Sequence, residues 1–523
     1  MSSLLRSNVA VATGTAVSRL TGLARVAVLG AVLGTPSAVA DAYDLANGTP
    51  NIIYELLLGG VLSSSLVPLF TRLREDEDEE GTNAVVSAAV VALTALTIVA
   101  VAAAPLVFRL YSLLVSDTVD VDQYRSVGTA LARMFLVQIL FYGINALASA
   151  LLNARGRFFA AAWAPVLSNV VVIASLALVP AMTDSTPTLA DVLADADLKW
   201  VLGGGATLGI AVMSLSLLPA VAASGIRLRP RLDLANPAVR QLRSLSGWAL
   251  GYVVANQAAV LVVRNLLRGG DGSIFAYSRA YMWFVLPHGL LAMSIATTFL
   301  PEMTRAVRDR DRTRLADRTS LGVRLIALVT MPAGVGLFVL RRPIIGLAFQ
   351  HGNVSPADAE LTSRALAGFA LGLVGISVFL FVIRLFYAHL DARTPFTLNL
   401  VENLLNIVLA VVLVDRYGIL GLALSFALAY LVSAALALVV ARNKVPELAL
   451  GPIAAALGRM LVASVLMGEA VWWVARQVGG DVGLGALARV LAGTITGIVV
   501  YVAVLAALRA PELDALRRRV RRS

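Results

Sequence analysis

The chain has 523 residues, of which 59% are hydrophobic and 14% are charged, and it carries a net charge of +11 and no cysteine. Soluble domains have about half apolar and about a quarter charged residues, so this composition excludes an ordinary soluble protein. The lack of cysteine excludes disulfides, thiolate catalysis and cysteine-bound metals. Arginines retained on the cytoplasmic side of a membrane explain the positive charge better than nucleic-acid binding does.

Apolar stretches long enough to cross a bilayer recur between short polar breaks from Val9 to Ala507. They predict an all-α polytopic membrane protein with about fourteen transmembrane helices. The predicted spans are centred near Thr21, Leu57, Thr97, Gly143, Ile173, Met213, Ala255, Leu290, Thr330, Gly375, Ile407, Leu428, Val465 and Ile495. Lysine and arginine are enriched in the loops on one side, which predicts that both termini are cytoplasmic.

The first span carries two arginines together with hydroxyl side chains. Ser18, Thr21 and Arg25 are spaced at i, i+3 and i+7 and share one helix face, whereas Arg19 lies on an adjoining face. Guanidinium groups are permanently charged and bind phosphate oxygens in a bidentate manner. This arrangement therefore suits a polyanionic ligand. The alternative is that the arginines reach an interface or pair with carboxylates inside the protein.

The second span begins with Asp41 and Asp44, the carboxylates that could pair with those arginines. It continues through Gly48, Pro50 and Asn51, a sequence expected to break helical hydrogen bonding at membrane depth. Such breaks are tolerated where they line a cavity. These three residues are therefore predicted as a hinge for alternating access, with a static kink as the alternative.

Two later spans carry further polar residues inside the membrane. Arg279 lies a few residues into the eighth span and is the charged residue there that best suits a cavity. Glu402, Asn403 and Asn406 lie in the eleventh span and bring oxygen atoms that suit a hard cation such as Na⁺. For the asparagines, hydrogen bonding between helices is the favoured role.

Two short motifs recur with an offset of six spans. The sequence Leu-Val-Pro-Leu-Phe-Thr-Arg ending at Arg72 matches Phe-Leu-Pro-Glu-Met-Thr-Arg ending at Arg305, and Asn-Ala-Arg at 153–155 matches Asp-Ala-Arg at 391–393. An even offset predicts two six-helix lobes in parallel repeat with a substrate site between them, chance matching being the alternative. The predicted divisions are an N-lobe at 1–223, a C-lobe at 224–451, two extra spans at 452–510 and a basic cytoplasmic tail at 511–523.

Sequence signatures of catalysis are absent. The chain has no Walker A loop, no His-Glu-x-x-His, no nucleophile elbow and no dinucleotide fingerprint, and its three histidines are scattered singly. The chain is therefore expected not to be an enzyme and to use no cofactor or bound metal for chemistry. Any transport would draw on an ion gradient such as Na⁺, on the membrane potential or on the substrate gradient.

Several motifs form an ordered set along the chain. They are Ser18-Arg19-Leu-Thr-Gly22-Leu-Ala-Arg25, Asp41-Ala-Tyr43 with Pro50-Asn51, Val67-Pro68, Leu152-Asn153-Ala-Arg155-Gly-Arg157-Phe158 with Pro165, Phe349-Gln-His-Gly352, and Phe386-Tyr387-Ala388 with Asp391-Ala-Arg393-Thr394-Pro395. In this order they resemble the MurJ or MviN lipid II flippases of the multidrug/oligosaccharidyl-lipid/polysaccharide exporter superfamily. The resemblance covers most of the chain.

The resemblance implies a transport function in a bacterial cell membrane. It implies fourteen helices in two lobes, a cavity formed by spans one, two, seven and eight, and a groove at spans thirteen and fourteen for a polyprenyl tail. The expected substrate is the undecaprenyl-pyrophosphate-linked peptidoglycan precursor, lipid II, carried from the cytoplasmic to the outer leaflet by alternating access for cell-wall synthesis. Arg19, Arg25 and Asp41 match the family's functional cavity residues.

The sequence departs from the family pattern at a few positions near the expected cavity. Val26 stands where many members have Asp, and Met282 stands where the family has a span-eight arginine. Arg279 lies one turn before Met282 and is expected to substitute for that arginine. The expected substrate-binding residues are Arg19, Arg25, Asp41, Arg279, Ser18 and Thr21.

Two related functions remain open from the sequence. One is a flippase for another lipid-linked oligosaccharide, and the other is a cation-coupled drug exporter, for which acidic and aromatic cavity residues would be expected instead of arginines. The expected partners are the lipid-linked precursor and membrane lipids, with the cell-wall synthesis machinery as a further partner and no nucleic acid.

Overall fold

The computed structural model describes residues 3–34, 37–58, 61–226, 228–350, 354–389 and 391–512, apart from the side chains of 3–12, 52–58, 61–65 and 241–254. Within these ranges the chain is helical almost throughout and forms no β-strand. The described backbone makes one isolated bridge, between Val115 and Gly269. The predicted basic tail lies outside the described residues from position 513 onward.

The helices follow one another with short connections. The first twelve are α1 (Ser3–Leu33), α2 (Ala38–Leu58), α3 (Val61–Glu75), α4 (Glu79–Ala102), α5 (Ala104–Tyr111), α6 (Val121–Leu136), α7 (Gln138–Ala154), α8 (Phe159–Leu176), α9 (Leu189–Ala194), α10 (Ala196–Lys199), α11 (Gly205–Leu215) and α12 (Leu217–Ala223). The others are α13 (Pro237–Leu266), α14 (Ser273–Pro287), α15 (Met293–Arg308), α16 (Arg312–Val339), α17 (Arg341–Phe349), α18 (Pro356–Leu371), α19 (Leu373–Ala388), α20 (Arg393–Tyr417), α21 (Ile419–Lys444), α22 (Leu450–Gln477) and α23 (Gly483–Ala507). A 3₁₀ turn covers Val179–Ala181, and π-helical turns cover Trp200–Gly204 and His288–Ala292.

The prediction of an all-α polytopic membrane protein is confirmed. The described residues contain 11 helices long and apolar enough to cross a membrane, or 12 if the bent pair α18 and α19 forms one span. The second and seventh predicted spans fall in α2 with α3 and in α13, which include residues or side chains outside the description. The count of fourteen therefore stays a prediction.

Many large apolar side chains on the helices face outward while several polar ones are buried, as expected of a protein solvated by lipid. Ile495 on α23 is 63% exposed, whereas Ser425 on α21 is completely buried. Lipid tails are as apolar as leucine, so helices in a bilayer associate through close packing and hydrogen bonds rather than through burial of apolar area. The contacts of individual polar residues therefore say more about how the helices are held together here than they would in a soluble protein.

The chain folds into two compact units. The first comprises Met1–Gln257, Arg268–Ile274 and Gly352–Val354, and the second comprises Ala258–Leu267, Phe275–His351 and Ser355–Ser523. In the first unit α1 packs on α8, α2 on α6, and α7 on α11; in the second unit α20 packs on α21, α16 on α22, and α22 on α23. The lobe boundaries at 223/224 and 451/452 follow from the repeated motifs and the predicted spans, and they stay predictions.

A close backbone contact shapes the second unit. Helices α18 and α19 meet at a bend of 45°. A Cβ atom on Gly372, at this bend, would lie 2.7 Å from the Cα of Ala427, and one on Gly375 would lie 2.8 Å from the amide nitrogen of Leu431. Glycine is therefore required for α21 to approach this closely, as small residues allow in other membrane helix pairs.

An ion cluster joins three segments of the second unit. Glu512, just after α23, is almost completely buried and lies 3.2 Å from Nη1 of Arg324 on α16 and 3.6 Å from Nη2 of Arg459 on α22. A buried carboxylate needs such partners because its desolvation is expensive. The cluster therefore ties the end of the last helix to two of its neighbours.

Candidate functional site

The arginines of α1 lie where the sequence placed them, within the first membrane span. Arg19 and Arg25 are both half-buried. Neither arginine forms an ion pair or a hydrogen bond with Asp41 or Asp44, or with any other residue in the part of the chain that the structure describes. Arg25 acts electrostatically on the buried phenol of Tyr43 in α2. Internal pairing with Asp41 or Asp44 therefore does not account for these charges.

The hydroxyl-bearing face of α1 contacts α8. The side-chain Nδ2 atom of Asn169 donates hydrogen bonds to the Ser18 carbonyl at 3.1 Å and to the Thr21 hydroxyl at 3.0 Å. Gly14 lies on the same face, and a Cβ there would meet the Trp163 ring at 2.7 Å. Ser18 and Thr21 thus belong to a helix contact as well as to the face that was predicted to receive a ligand.

Asp41 is fully buried in the first turn of α2 and accepts hydrogen bonds from backbone amides. Its Oδ2 atom lies 2.8 Å from the amide nitrogen of Gly270 and 2.9 Å from that of Gly272. Both glycines have positive φ, at 116° and 86°, in the turn between α13 and α14. In this structure the Asp41 carboxylate holds that turn, a role that sequence reasoning missed because it depends on backbone geometry.

The predicted hinge of α2, at Gly48, Pro50 and Asn51, lies within a continuous helix. Pro50 is accommodated inside the helix. The Asn51 side chain donates to the Asn47 carbonyl at 2.9 Å, and its Oδ1 accepts a bond from the Tyr142 hydroxyl at 2.9 Å. Proline has no N–H, so the helical hydrogen bond from position 50 to the Ala46 carbonyl is missing although the helix continues. Bending of Gly48, Pro50 and Asn51 during transport stays a prediction.

Arg279 belongs to the second unit and is almost completely buried. Its guanidinium carbon lies 4.4 Å from the centroid of the Phe275 ring and 5.2 Å from that of Phe349. Arginine stacked on aromatic faces is stabilised by the ring quadrupoles. In this structure the side chain is therefore enclosed by protein. His351 and Gly352, which follow Phe349 in the family-like motif, lie outside the described residues.

The histidine that begins a π-helical turn, His288, was not selected as a site residue from the sequence. His288 is buried, and its Nδ1 atom lies 2.9 Å from the Ser377 hydroxyl oxygen on α19. The Ser377 hydroxyl donates to the Leu373 carbonyl at 2.7 Å, so His288 Nδ1 is the donor toward Ser377. π-Helical turns are frequent at functional sites. The Pro287-His288-Gly289 sequence is the local signal that could have indicated an irregular helix.

The polar residues predicted for ion coupling share one buried face of α20. Glu402, Asn403 and Asn406 are all buried, and the Asn406 side-chain oxygen accepts a 2.9 Å bond from Ser425 on α21. The Asn403 amide donates to the Asn399 carbonyl at 2.9 Å. The described residues include no group of three or more histidine, cysteine or acidic side chains that could hold a metal. A cation here would have to use Glu402 and amide oxygens.

Known structures identify the class of protein that has this fold. The structure of "Lipid II flippase MurJ, inward closed conformation" matches with a TM-score of 0.76 and 21% identity, covering 95% of this chain and 99% of that chain. An inward-facing multidrug resistance MATE family transporter of the MOP superfamily matches with a TM-score of 0.65 and 14% identity, covering 82% and 95%. The fold is the multi-pass helical fold that these membrane transporters share.

The sequence assigns the chain within that class. The family model for the lipid II flippase MurJ matches residues 29–493. The probable lipid II flippase MurJ of Rhizobium meliloti (strain 1021) is 28% identical over 531 aligned positions, which cover 99% of this chain and 97% of that relative. The chain belongs to the lipid II flippase MurJ family, whose members are transporters rather than enzymes.

Proposed function

We propose that the chain translocates lipid II from the cytoplasmic to the outer leaflet of the bacterial cell membrane by alternating access, with both termini in the cytoplasm. The observation that carries the proposal is the family match over residues 29–493, together with relatives that are similar over nearly their whole length. The peptidoglycan precursor is then the principal partner, and the cell-wall synthesis machinery is a proposed further partner.

The arginines of α1 are the proposed contacts for the pyrophosphate of the substrate. A charged side chain in the bilayer core costs on the order of 3 kcal/mol on insertion scales, so it is retained where it has a partner. Arg19 and Arg25 are half-buried and make no ion pair within the described residues. A diphosphate would supply the missing counter-charge and can accept bidentate bonds from guanidinium.

The other predicted site residues have different roles in this proposal. Asp41 holds the turn that carries Gly270 and Gly272, so its contribution is to shape the first unit near the substrate path. Arg279 is enclosed by Phe275 and Phe349 and would contact substrate only if that enclosure opened. Ser18 and Thr21 support α1 through its contact with α8.

Energy coupling is proposed to involve the buried polar face of α20. Glu402 makes no hydrogen bond or ion pair with any described residue, so an ion bound beside it would change its energy substantially. Na⁺ is one such ion, with Glu402, Asn403 and Asn406 as oxygen donors, and the membrane potential is the other proposed source of energy.

The test is a reconstituted flipping assay that measures lipid II exposed on the outer face of proteoliposomes. Wild type is compared with Arg19→Ala, Arg25→Ala and Arg25→Lys at matched protein content. Arg109→Ala on α5, where the arginine is exposed, is the control. Loss of either arginine is expected to reduce the rate about tenfold or more, and Arg25→Lys is expected to restore part of it.

Two results would contradict the proposal. Exposure of lipid II that does not depend on the protein would send the search to other lipid-linked oligosaccharides or to drug-like substrates of the same fold. Full activity of both alanine variants would remove α1 from the substrate path while leaving the fold assignment intact.

A further inference from the structure

Helix α1 packs extensively on α8, and the centre of this contact is polar. Within the first membrane span, Thr13–Leu33, only 17% of the residues in its most apolar 18-residue stretch are buried in the protein. Lipid is as apolar as the leucines and valines on such a helix, so exposed apolar residues do not fix how the helix is rotated about its axis. The directional hydrogen bonds between α8 and α1 are therefore expected to determine which way the arginines of α1 point.

Asn169 makes the central contact. Its Nδ2 atom carries two hydrogens and donates to the Ser18 carbonyl at 3.1 Å and to the Thr21 hydroxyl at 3.0 Å. The Thr21 hydroxyl lies 2.9 Å from the Val17 carbonyl and 3.1 Å from the Ser18 carbonyl. It therefore donates its proton to a carbonyl of α1 and accepts the hydrogen bond from Asn169. One amide thus uses both of its donors on a single turn of the neighbouring helix.

The turn that Asn169 contacts, from Ser18 to Thr21, contains Arg19 and ends four residues before Arg25. Arg19 and Arg25 are six residues apart, which separates them by about 9 Å along the axis and about 120° around it. Gly22 lies between the two arginines and faces Asn169. A Cβ atom at Gly22 would lie 3.7 Å from Nδ2 of Asn169, at van der Waals distance. A rotation of α1 by one residue would redirect both guanidinium groups by about 100°.

We propose that Asn169 is a positioning residue for substrate binding: it holds α1 in the rotation that directs Arg19 and Arg25 toward the substrate. This inference rests on the proposed function, because it assigns Asn169 an effect on the substrate through those arginines. The hydrogen bonds are expected to be effective because each lies in a low-dielectric region where a competing water is scarce.

The first experiment measures flipping as a function of lipid II content in proteoliposomes, which separates the apparent KM from the maximal rate. Asn169→Leu removes both donors at similar size, and Thr21→Val removes one acceptor. Ser168→Ala is the matched control, because Ser168 is buried next to Asn169 on α8 and its hydroxyl has no partner among the described residues. Asn169→Leu is expected to raise KM about fivefold, with Ser168→Ala unchanged.

Combinations of variants separate positioning from a general loss of structure. Asn169→Leu is expected to add little to the KM of the double variant Arg19→Ala/Arg25→Ala, because Asn169 acts through both arginines. Thr21→Val is expected to add little to Asn169→Leu, because the two side chains share one hydrogen bond. Independent, multiplying effects would overturn the proposal. Asn169→Gln keeps the donors on a longer side chain and is expected to recover part of the affinity.

A direct measure of rotation is available because the chain has no cysteine. Arg19→Cys and Arg25→Cys, each alone, are labelled with a water-soluble thiol reagent in the presence and absence of Asn169→Leu. The ratio of the two labelling rates is expected to change about threefold or more when Asn169 is lost, whereas Ser168→Ala leaves it unchanged. An unchanged ratio with normal flipping by Asn169→Leu would refute the inference.

The two proposals fail in distinguishable ways. If wild type does not flip lipid II, the proposed function fails, whereas the labelling ratio still reports whether Asn169 sets the rotation of α1. If wild type flips lipid II and Asn169→Leu has the wild-type KM, only the positioning role is wrong.

Discussion

Asp41 in the first unit and Glu402 in the second are both buried carboxyl groups within the membrane part of the molecule, but their surroundings differ. Oδ2 of Asp41 accepts two backbone hydrogen bonds, from Gly270 and Gly272. Glu402 has no hydrogen bond or ion pair with a described residue, although polar asparagines flank it on α20.

The difference separates a structural carboxylate from a responsive one. Backbone amides are fixed donors, so they stabilise the charged form of Asp41 whatever is bound elsewhere. Glu402 has no fixed donor, so the energy of its charged form depends on an ion or proton supplied from outside. The same residue class in the same kind of helix can therefore hold a fold together or sense a ligand.

The largest effect is expected from Asp41→Ala. Removing the carboxylate leaves two buried amides without an acceptor, which should lower the free energy of unfolding by about 2 to 4 kcal/mol. Thermal unfolding of the purified protein in lipid nanodiscs measures this loss. Asp271→Ala, an exposed residue in the same turn, is the control and should cost less than about 1 kcal/mol. Equal effects of the two substitutions would remove the distinction drawn for Asp41.

Glu402→Gln tests the other side of the comparison. The amide has nearly the same shape and needs no counter-ion, so the free energy of unfolding should change by less than about 1 kcal/mol. Flipping, by contrast, should lose its dependence on external Na⁺ or pH. The assay compares wild type and variant in Na⁺ and K⁺ buffers at two pH values. A variant that keeps the wild-type ion response would show that Glu402 is a passive core residue.

A smaller effect is expected at the bond between Ser425 and Asn406, next to Glu402. Ser425→Ala leaves the Asn406 side-chain oxygen without its donor and should cost about 1 kcal/mol of unfolding free energy. Ser433→Ala on the same helix is the matched control, because the Ser433 hydroxyl is buried and has no partner among the described residues. Equal stability of the two variants would mean that the α20–α21 bond contributes little.

The smallest effect concerns a carboxyl outside the spans. The hydrogen bond from Lys444 lowers the pKa of Asp391 from 3.8 to about 2, with further bonds from Thr394. A lowered pKa means that the native state favours the charged form, so the contribution is present above pH 3.8 and is lost as the pH falls to about 2. Asp391→Asn should therefore be slightly less stable than wild type at neutral pH, and the two should converge near pH 2. A difference independent of pH would contradict this.

The sequence predicted the helices and the buried polar positions well, because both follow from local patterns. Long apolar stretches indicate spans, and an ionisable residue inside one indicates a partner or a cavity. Arg19, Arg25, Glu402 and Asn406 were found in this way. The same reasoning identified the family, because its motifs are local and ordered.

The partners of those residues could not be predicted from the sequence. The bond from Asn169 to α1 and the bond from Tyr142 to Asn51 each join residues far apart in the chain, and they depend on which helix faces are in contact. Asp41 accepts hydrogen bonds from backbone N–H groups. Every residue except proline has such a group, so the sequence does not indicate which residues are the partners. The continuity of α2 through Pro50 was also not predictable, because a helix can lose the one N–H of a proline and still continue.

The cluster of Glu512 with Arg324 and Arg459 has a consequence for how the protein is made. Both arginines are synthesised and inserted before Glu512, which follows α23 in the chain. Until translation passes that point, two guanidinium groups stay without their carboxylate, so the nascent bundle is incomplete in charge as well as in packing. The ion pairs of Glu512 with Arg324 and Arg459 can form only after Glu512 has been made and has left the ribosome, which is later than the synthesis of the helices that carry the two arginines.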